Sequence, residues 1–83
     1  MTTAETELLK HITSDPKIFG GKPIIRGMRI SVETVVSLLA QGESVDAILS
    51  DYPALTREDI QACLAYAHAV IANDSLDAVR VAG

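Results

Sequence analysis

Ser44-Val45-Asp46-Ala47-Ile48-Leu49-Ser50-Asp51-Tyr52-Pro53-Ala54-Leu55-Thr56-Arg57-Glu58-Asp59-Ile60-Gln61 is the stretch whose pattern decides the fold. Val45, Ile48, Leu49 and Tyr52 recur at i, i+3, i+4 and i+7, one face of a helix, and Ser44 stands where a hydroxyl caps the first turn. Asp46 lies near the positive end of that helix's dipole. Pro53 ends the helix, because the residue before a proline is pushed out of helical dihedrals. Thr56 opens a longer helix, with Asp59 three residues on in the place of the acid of a capping box. Ile60, Cys63, Leu64, Ala67, Val70 and Ile71 are read as its apolar face, and it is expected to end near Asn73. Pro53-Ala54-Leu55 joins the two helices, a connection of helix-turn-helix length, with Leu55 expected to plug the corner.

Upstream, Ser31 caps another helix in which Val32, Val35, Val36 and Leu39 follow at helical spacing until Gly42 stops it. Residues 12–30 are punctuated too densely for helix by Asp15-Pro16, Gly20-Gly21, Lys22-Pro23 and Gly27. Extended pieces are expected instead, with a strand at His11-Ile12-Thr13 and a tight turn or minimal hairpin about Gly27. Residues 1–11 read as a weakly ordered arm, helical only if docked, and residues 74–83 as a tail. The expected fold class is all-α: one domain over residues 1–83, with short β-like segments leading into a three-helix core at 31–73.

Composition bounds what such a domain does. A chain of 83 residues buries only about 60 to 65% of its unfolded surface, so a partner's surface would supplement its core. One cysteine forms no internal disulfide, and no Cys/His cluster has metal-ligand spacing, so a reducing cytoplasm fits and no metal is expected. The first ten residues lack the charge and apolar run of a signal peptide, and no stretch approaches the ~20 apolar residues of a membrane span. The net charge of −4 argues against indiscriminate nucleic-acid binding. The charge is nevertheless segregated: residues 16–30 hold Lys17, Lys22, Arg26 and Arg29 and no acid, whereas residues 31–83 set Arg57 and Arg80 against eight carboxylates. A basic front on an acidic body suits one anionic and one basic partner, and equally suits a solvated surface.

In a helix-turn-helix the start of the second helix faces the major groove, which nominates Thr56, Arg57 and Gln61, with Arg57 suited to guanine and Gln61 to adenine. Against this, Thr56 caps any helix well, Arg57 has acids beside it to pair with, and Glu58 and Asp59 repel phosphate. Lys22, Arg26 and Arg29 form a second candidate anion site, where glycines free backbone amides. The segment lacks the Gly-Lys-Ser/Thr ending of a Walker loop, and a solvated basic hairpin accounts for it equally well. No catalytic residue is nominated. His11 and His68 lie on different elements without an evident orienting partner, Cys63 sits in an apolar stripe, and the neighbouring acids fit helix starts and solvated surface.

Gly21-Lys22-Pro23-Ile24-Ile25-Arg26-Gly27-Met28-Arg29-Ile30, then Gly42-Glu43-Ser44, then Asp51-Tyr52-Pro53-Ala54-Leu55-Thr56-Arg57-Glu58-Asp59-Ile60 together resemble the domain of unknown function family 433. The resemblance runs from about Ile12 to Ala72. It implies a homeodomain-like three-helix fold and, for members encoded beside a PIN-like ribonuclease, a VapB-type antitoxin that silences that nuclease and commonly binds its own operator. Met28 stands where the family usually has Thr, which removes a turn hydroxyl, and Ser31 where it often has Pro, a benign change because Ser caps a helix. The expected function is therefore a cytoplasmic, non-enzymatic, cofactor-free, antitoxin-like DNA-binding module, homodimeric, with a PIN-like toxin nuclease as partner. The alternatives are a stand-alone helix-turn-helix regulator and a purely structural oligomerisation domain.

Overall fold

The computed structural model describes residues 3–73. Along the chain come helix α1 (Thr3–Leu9), strands β1 (Ile12–Thr13) and β2 (Ile24–Ile25), and helices α2 (Val32–Ala40), α3 (Val45–Asp51) and α4 (Arg57–Asn73). Helices form at the three expected places, as α2, α3 and α4, and a fourth, α1, precedes them. The chain is mostly helical and not purely so, because β1 and β2 pair antiparallel, Ile12 with Ile25 and Thr13 with Ile24.

Local chemistry sets each boundary. Ser31 Oγ accepts the Thr34 amide at 3.0 Å and Ser44 Oγ the Ala47 amide at 3.1 Å, each satisfying a first-turn donor. Gly42, at φ +94°, terminates α2. Its amide reaches Leu39 O and that of Glu43 reaches Leu38 O, both at 3.0 Å, the paired bonds of a Schellman ending that requires a left-handed residue. Tyr52, held off helical dihedrals by Pro53, ends α3 at φ −124°, ψ 78°.

The hairpin about Gly27 forms as read. Met28 N–H bonds Ile25 O at 2.9 Å across the turn, Ile25 N–H bonds Ile30 O, and Val32 N–H bonds Pro23 O. Gly27 takes φ +77° at the third position of this four-residue turn. The hairpin thereby delivers Ile24 and Ile25 to the interior, where both are fully buried.

The core gathers Ile25, Val32, Val35, Ile48, Leu55, Ile60 and Cys63, with Val36, Leu39, Val45, Leu49 and Tyr52 packed around it. Leu55 fills the α3–α4 corner as expected. The arm docks: α1 lies against α4. His11 just beyond its end meets Asp59, and Glu5 near its start meets His68, so α1 runs antiparallel to α4. A seven-residue helix is marginal alone and depends on such contacts. The expected tail at 74–83 lies outside the described residues.

The face assigned to α4 needs correction. Ile60 and Cys63 are buried, but Leu64, Val70 and Ile71 are 47%, 41% and 55% exposed. The periodicity is right, but the burial of this face does not extend to Val70 and Ile71. Ala62 and Ala65, also buried, occupy a different side, the one that Glu58 and Gln61 share by helical spacing and that α1 covers.

Candidate functional site

The start of α4 is tightly tied. Asp59 Oδ2 accepts the Thr56 amide at 3.0 Å and Thr56 Oγ1 accepts the Asp59 amide at 3.1 Å, so the capping box is reciprocal. Asp59 Oδ1 also accepts His11 Nδ1–H at 2.9 Å. His11 O, in turn, takes the Arg26 amide at 2.7 Å, so one residue links α1, the hairpin and the helix start. Burial works to raise the Asp59 carboxyl, and the hydrogen bonds from His11 and Thr56 override it, holding the group below the ordinary carboxylate range. The expectation of a solvated Asp59 is thus corrected: it is 6% exposed. His11 does have an orienting partner, one that lies 48 residues away. Only the Thr56-x-x-Asp59 spacing signalled any part of this arrangement.

These ties bear on the nominated reading residues. Thr56 spends its hydroxyl on the cap. Arg57 is ion-paired with Asp46 of α3. Gln61 lines a groove between α1 and α4, of about 520 Å³, with Glu7, Glu58 and His11. The structure therefore brings Thr56, Arg57 and Gln61 to one helix start and surrounds them with carboxylates. Cys63 is fully buried in the core. Burial, with a smaller push from the Asp59 charge, raises its thiol to about 12, which leaves it protonated and unreactive at neutral pH.

The second nominated group sits on the hairpin. Lys22 is paired with Glu33 of α2 at 2.8 Å, and this ammonium lowers the Glu33 carboxyl pKa through its hydrogen bond and its charge. Arg26 and Arg29 are exposed, and among the described residues their side chains have no hydrogen-bonding or ion-pair partner; the same holds for Lys17. A hollow of about 350 Å³ beside them is lined by Thr13, Ser14, Ile18, Met28 and Arg29, among others. Next in sequence to Ile18 comes Phe19, 52% exposed. Its φ of +51° is left-handed, a conformation that costs a bulky L residue about 1–2 kcal/mol. The single phenylalanine of the chain is thus displayed on strained backbone rather than packed in the core. Sequence reasoning passed over it, because a lone Phe in a loop carries no periodic signal.

The family model described as Protein of unknown function (DUF433) matches residues 12–67. The chain belongs to the DUF433 family. The matched residues take in the sheet, the hairpin, α2, α3 and α4 as far as Ala67, whereas α1, Val70 and Ile71 lie outside them. A crystal structure of a DUF433 member protein from Anabaena variabilis ATCC 29413 is similar at a TM-score of 0.70 and 36% identity, over 77% of this chain and 63% of that one. The chain is also 41% identical over 58 residues to the Uncharacterized protein y4eO of Sinorhizobium fredii (strain NBRC 101917 / NGR234). That match takes in 70% of this chain and 26% of the relative, so the chain spans about a quarter of that protein's length. No helix among the described residues is long and apolar enough to cross a membrane.

Proposed function

We propose that this DUF433 chain is a non-enzymatic, antitoxin-like module that binds and neutralises a PIN-like toxin ribonuclease and also contacts operator DNA. The observation that carries the protein-binding half is the uncovered apolar face of α4. Ile60 and Cys63 continue that face into the core, while Leu64, Val70 and Ile71 run beyond it into solvent. A contiguous apolar stripe rimmed by polar residues is the form of a protein-docking surface. The acidic chain, of net charge −4, complements the basic channel that an RNA-cleaving enzyme presents to its substrate.

In this reading α2, α3 and α4 act as a homeodomain-like unit in the cytoplasm, and the protein works as a homodimer, because two copies match the two half-sites of an operator and a chain this small gains core by pairing. A stand-alone regulator is the second reading, supported by the length of the α3–α4 connection and the buried Leu55 at its corner. The two part on one experiment. RNA cleavage by a PIN-like nuclease isolated with the chain should fall to background at an equimolar ratio. The Leu64→Asp/Ile71→Asp double variant should weaken the inhibition at least about tenfold. Full nuclease activity in the presence of excess wild-type chain would reject the antitoxin reading and leave the regulator.

A further inference from the structure

We infer that the nucleic-acid contact of this protein lies on the surface formed by the 17–19 loop and the 26–29 hairpin tip, and not at the start of α4. The inference rests on the DNA-binding half of the proposed function and assigns it a different place. At that surface Lys17, Arg26 and Arg29 engage the sugar–phosphate backbone while the Phe19 ring stacks on a base or sugar.

Four observations converge there. First, two of the nominated cations are already paired with carboxylates: Arg57 at the start of α4 with Asp46, and Lys22 of the basic segment with Glu33. Lys17, Arg26 and Arg29 are left without side-chain partners among the described residues. Unpaired guanidinium groups bind phosphate without first giving up an internal ion pair. Second, the two pieces of backbone that carry these cations flank one hollow, to which Ile18 and Arg29 both contribute. Third, that hollow offers hydroxyls from Thr13 and Ser14 beside the apolar side chains of Ile18, Ile24 and Met28, a lining that suits a sugar or base edge. Its one carboxylate, Asp15, is engaged by the Lys17 amide at 2.8 Å. Fourth, Phe19, the residue that follows Ile18 of the hollow's lining, is exposed on left-handed backbone. An exposed aromatic ring among unpaired cations is the combination that binds a nucleic-acid strand by stacking and charge together.

The start of α4 offers the opposite. Glu58 and Glu7 line the same groove as Gln61, and α1 occupies the adjacent side of the helix. A phosphate approaching there meets carboxylates at close range.

Fluorescence anisotropy with a short labelled duplex of mixed sequence, and with its labelled single strand, tests the assignment at low salt. Wild-type chain should bind at least one probe, with affinity falling as salt rises. Arg26→Ala/Arg29→Ala should weaken binding at least about tenfold and lower the slope of log K against log salt by about 2. Arg57→Ala should change affinity less than about twofold. Phe19→Gly, which relieves the left-handed backbone and so keeps the fold, should cost about tenfold on the probe whose bases it stacks with. Loss on the single strand alone identifies an unpaired base as its partner, and loss on both identifies a sugar or a wedged base step. If Arg57→Ala abolishes binding and Arg26→Ala/Arg29→Ala does not, DNA binding stands and this surface is wrong. If wild-type chain binds neither probe, both the surface and the DNA-binding half of the proposed function fall.

Discussion

The start of α4 and the 17–29 segment invest their polar groups in opposite ways. At the helix start Thr56, Asp59 and His11 are bonded to one another, Arg57 is held by Asp46, and Asp59 is buried. In the basic segment three cations have no side-chain partner among the described residues, an aromatic ring faces solvent, and the backbone at Phe19 is strained. Satisfied polar groups contribute stability and have nothing left to offer a ligand. Unsatisfied, exposed ones contribute little to folding and keep their binding capacity. The contrast teaches that a basic or polar residue at the expected position of a motif is not thereby available: its neighbours in space decide.

That contrast can be broken by substitution. The largest effect is expected along α4 itself. Ile60→Ala should cost about 3–4 kcal/mol in urea unfolding, because it empties a fully buried site. Ile71→Ala, on the same helix but 55% exposed, should cost less than about 0.5 kcal/mol. Comparable losses at the two positions would mean that the outer half of α4 is covered in solution and is not a free docking face.

Next comes Asp59→Ala, expected to destabilise by about 2–3 kcal/mol, since it orphans the Thr56 amide and removes the His11 tie. The pH dependence follows from the direction of its shift. Because the folded carboxyl lies below its unfolded value, the unfolded chain binds the extra proton. The stabilisation is therefore fully present above the unfolded pKa of about 3.9 and is lost as pH falls through the folded pKa. Unfolding curves collected between neutral and strongly acidic pH should show a shallower acid-side loss for Asp59→Asn than for wild type. Equal slopes would show that Asp59 is not the linked group.

The smallest effect should have the opposite sign. Phe19→Gly, outside the packed core and in left-handed backbone, should raise stability by about 0.5–1 kcal/mol by thermal or urea unfolding. A loss instead would assign Phe19 a packing role and undercut its availability to a ligand.

Much of this contrast was open to sequence reasoning on one side only. Ser31, Ser44, Gly42, Pro53 and the Thr56/Asp59 pair act through neighbours three or four residues away, so their effects are written in local spacing, and the helices follow. The Gly27 turn is local in the same sense. His11 with Asp59 is a contact between residues far apart in the chain, and the docking of α1 that creates it depends on surfaces that no single segment reveals. The exposure of Leu64, Val70 and Ile71 was hidden for a related reason. Periodicity identifies which face of a helix is apolar, whereas the elements packed against it decide how much of that face is covered. The unpaired state of Arg26 and Arg29 likewise depends on where every carboxylate comes to rest, so the sequence nominated two basic groups and the fold distinguished them.

The central claim, that the open face of α4 docks a nuclease, is tested most directly by affinity purification of tagged chain from its native host, in parallel with Leu64→Asp/Ile71→Asp. Mass spectrometry should find a small PIN-like nuclease in stoichiometric amount with the wild-type chain and not with the variant, with both baits folded by circular dichroism. Recovery of the wild-type chain without a nuclease, or of the nuclease equally with both baits, would contradict it.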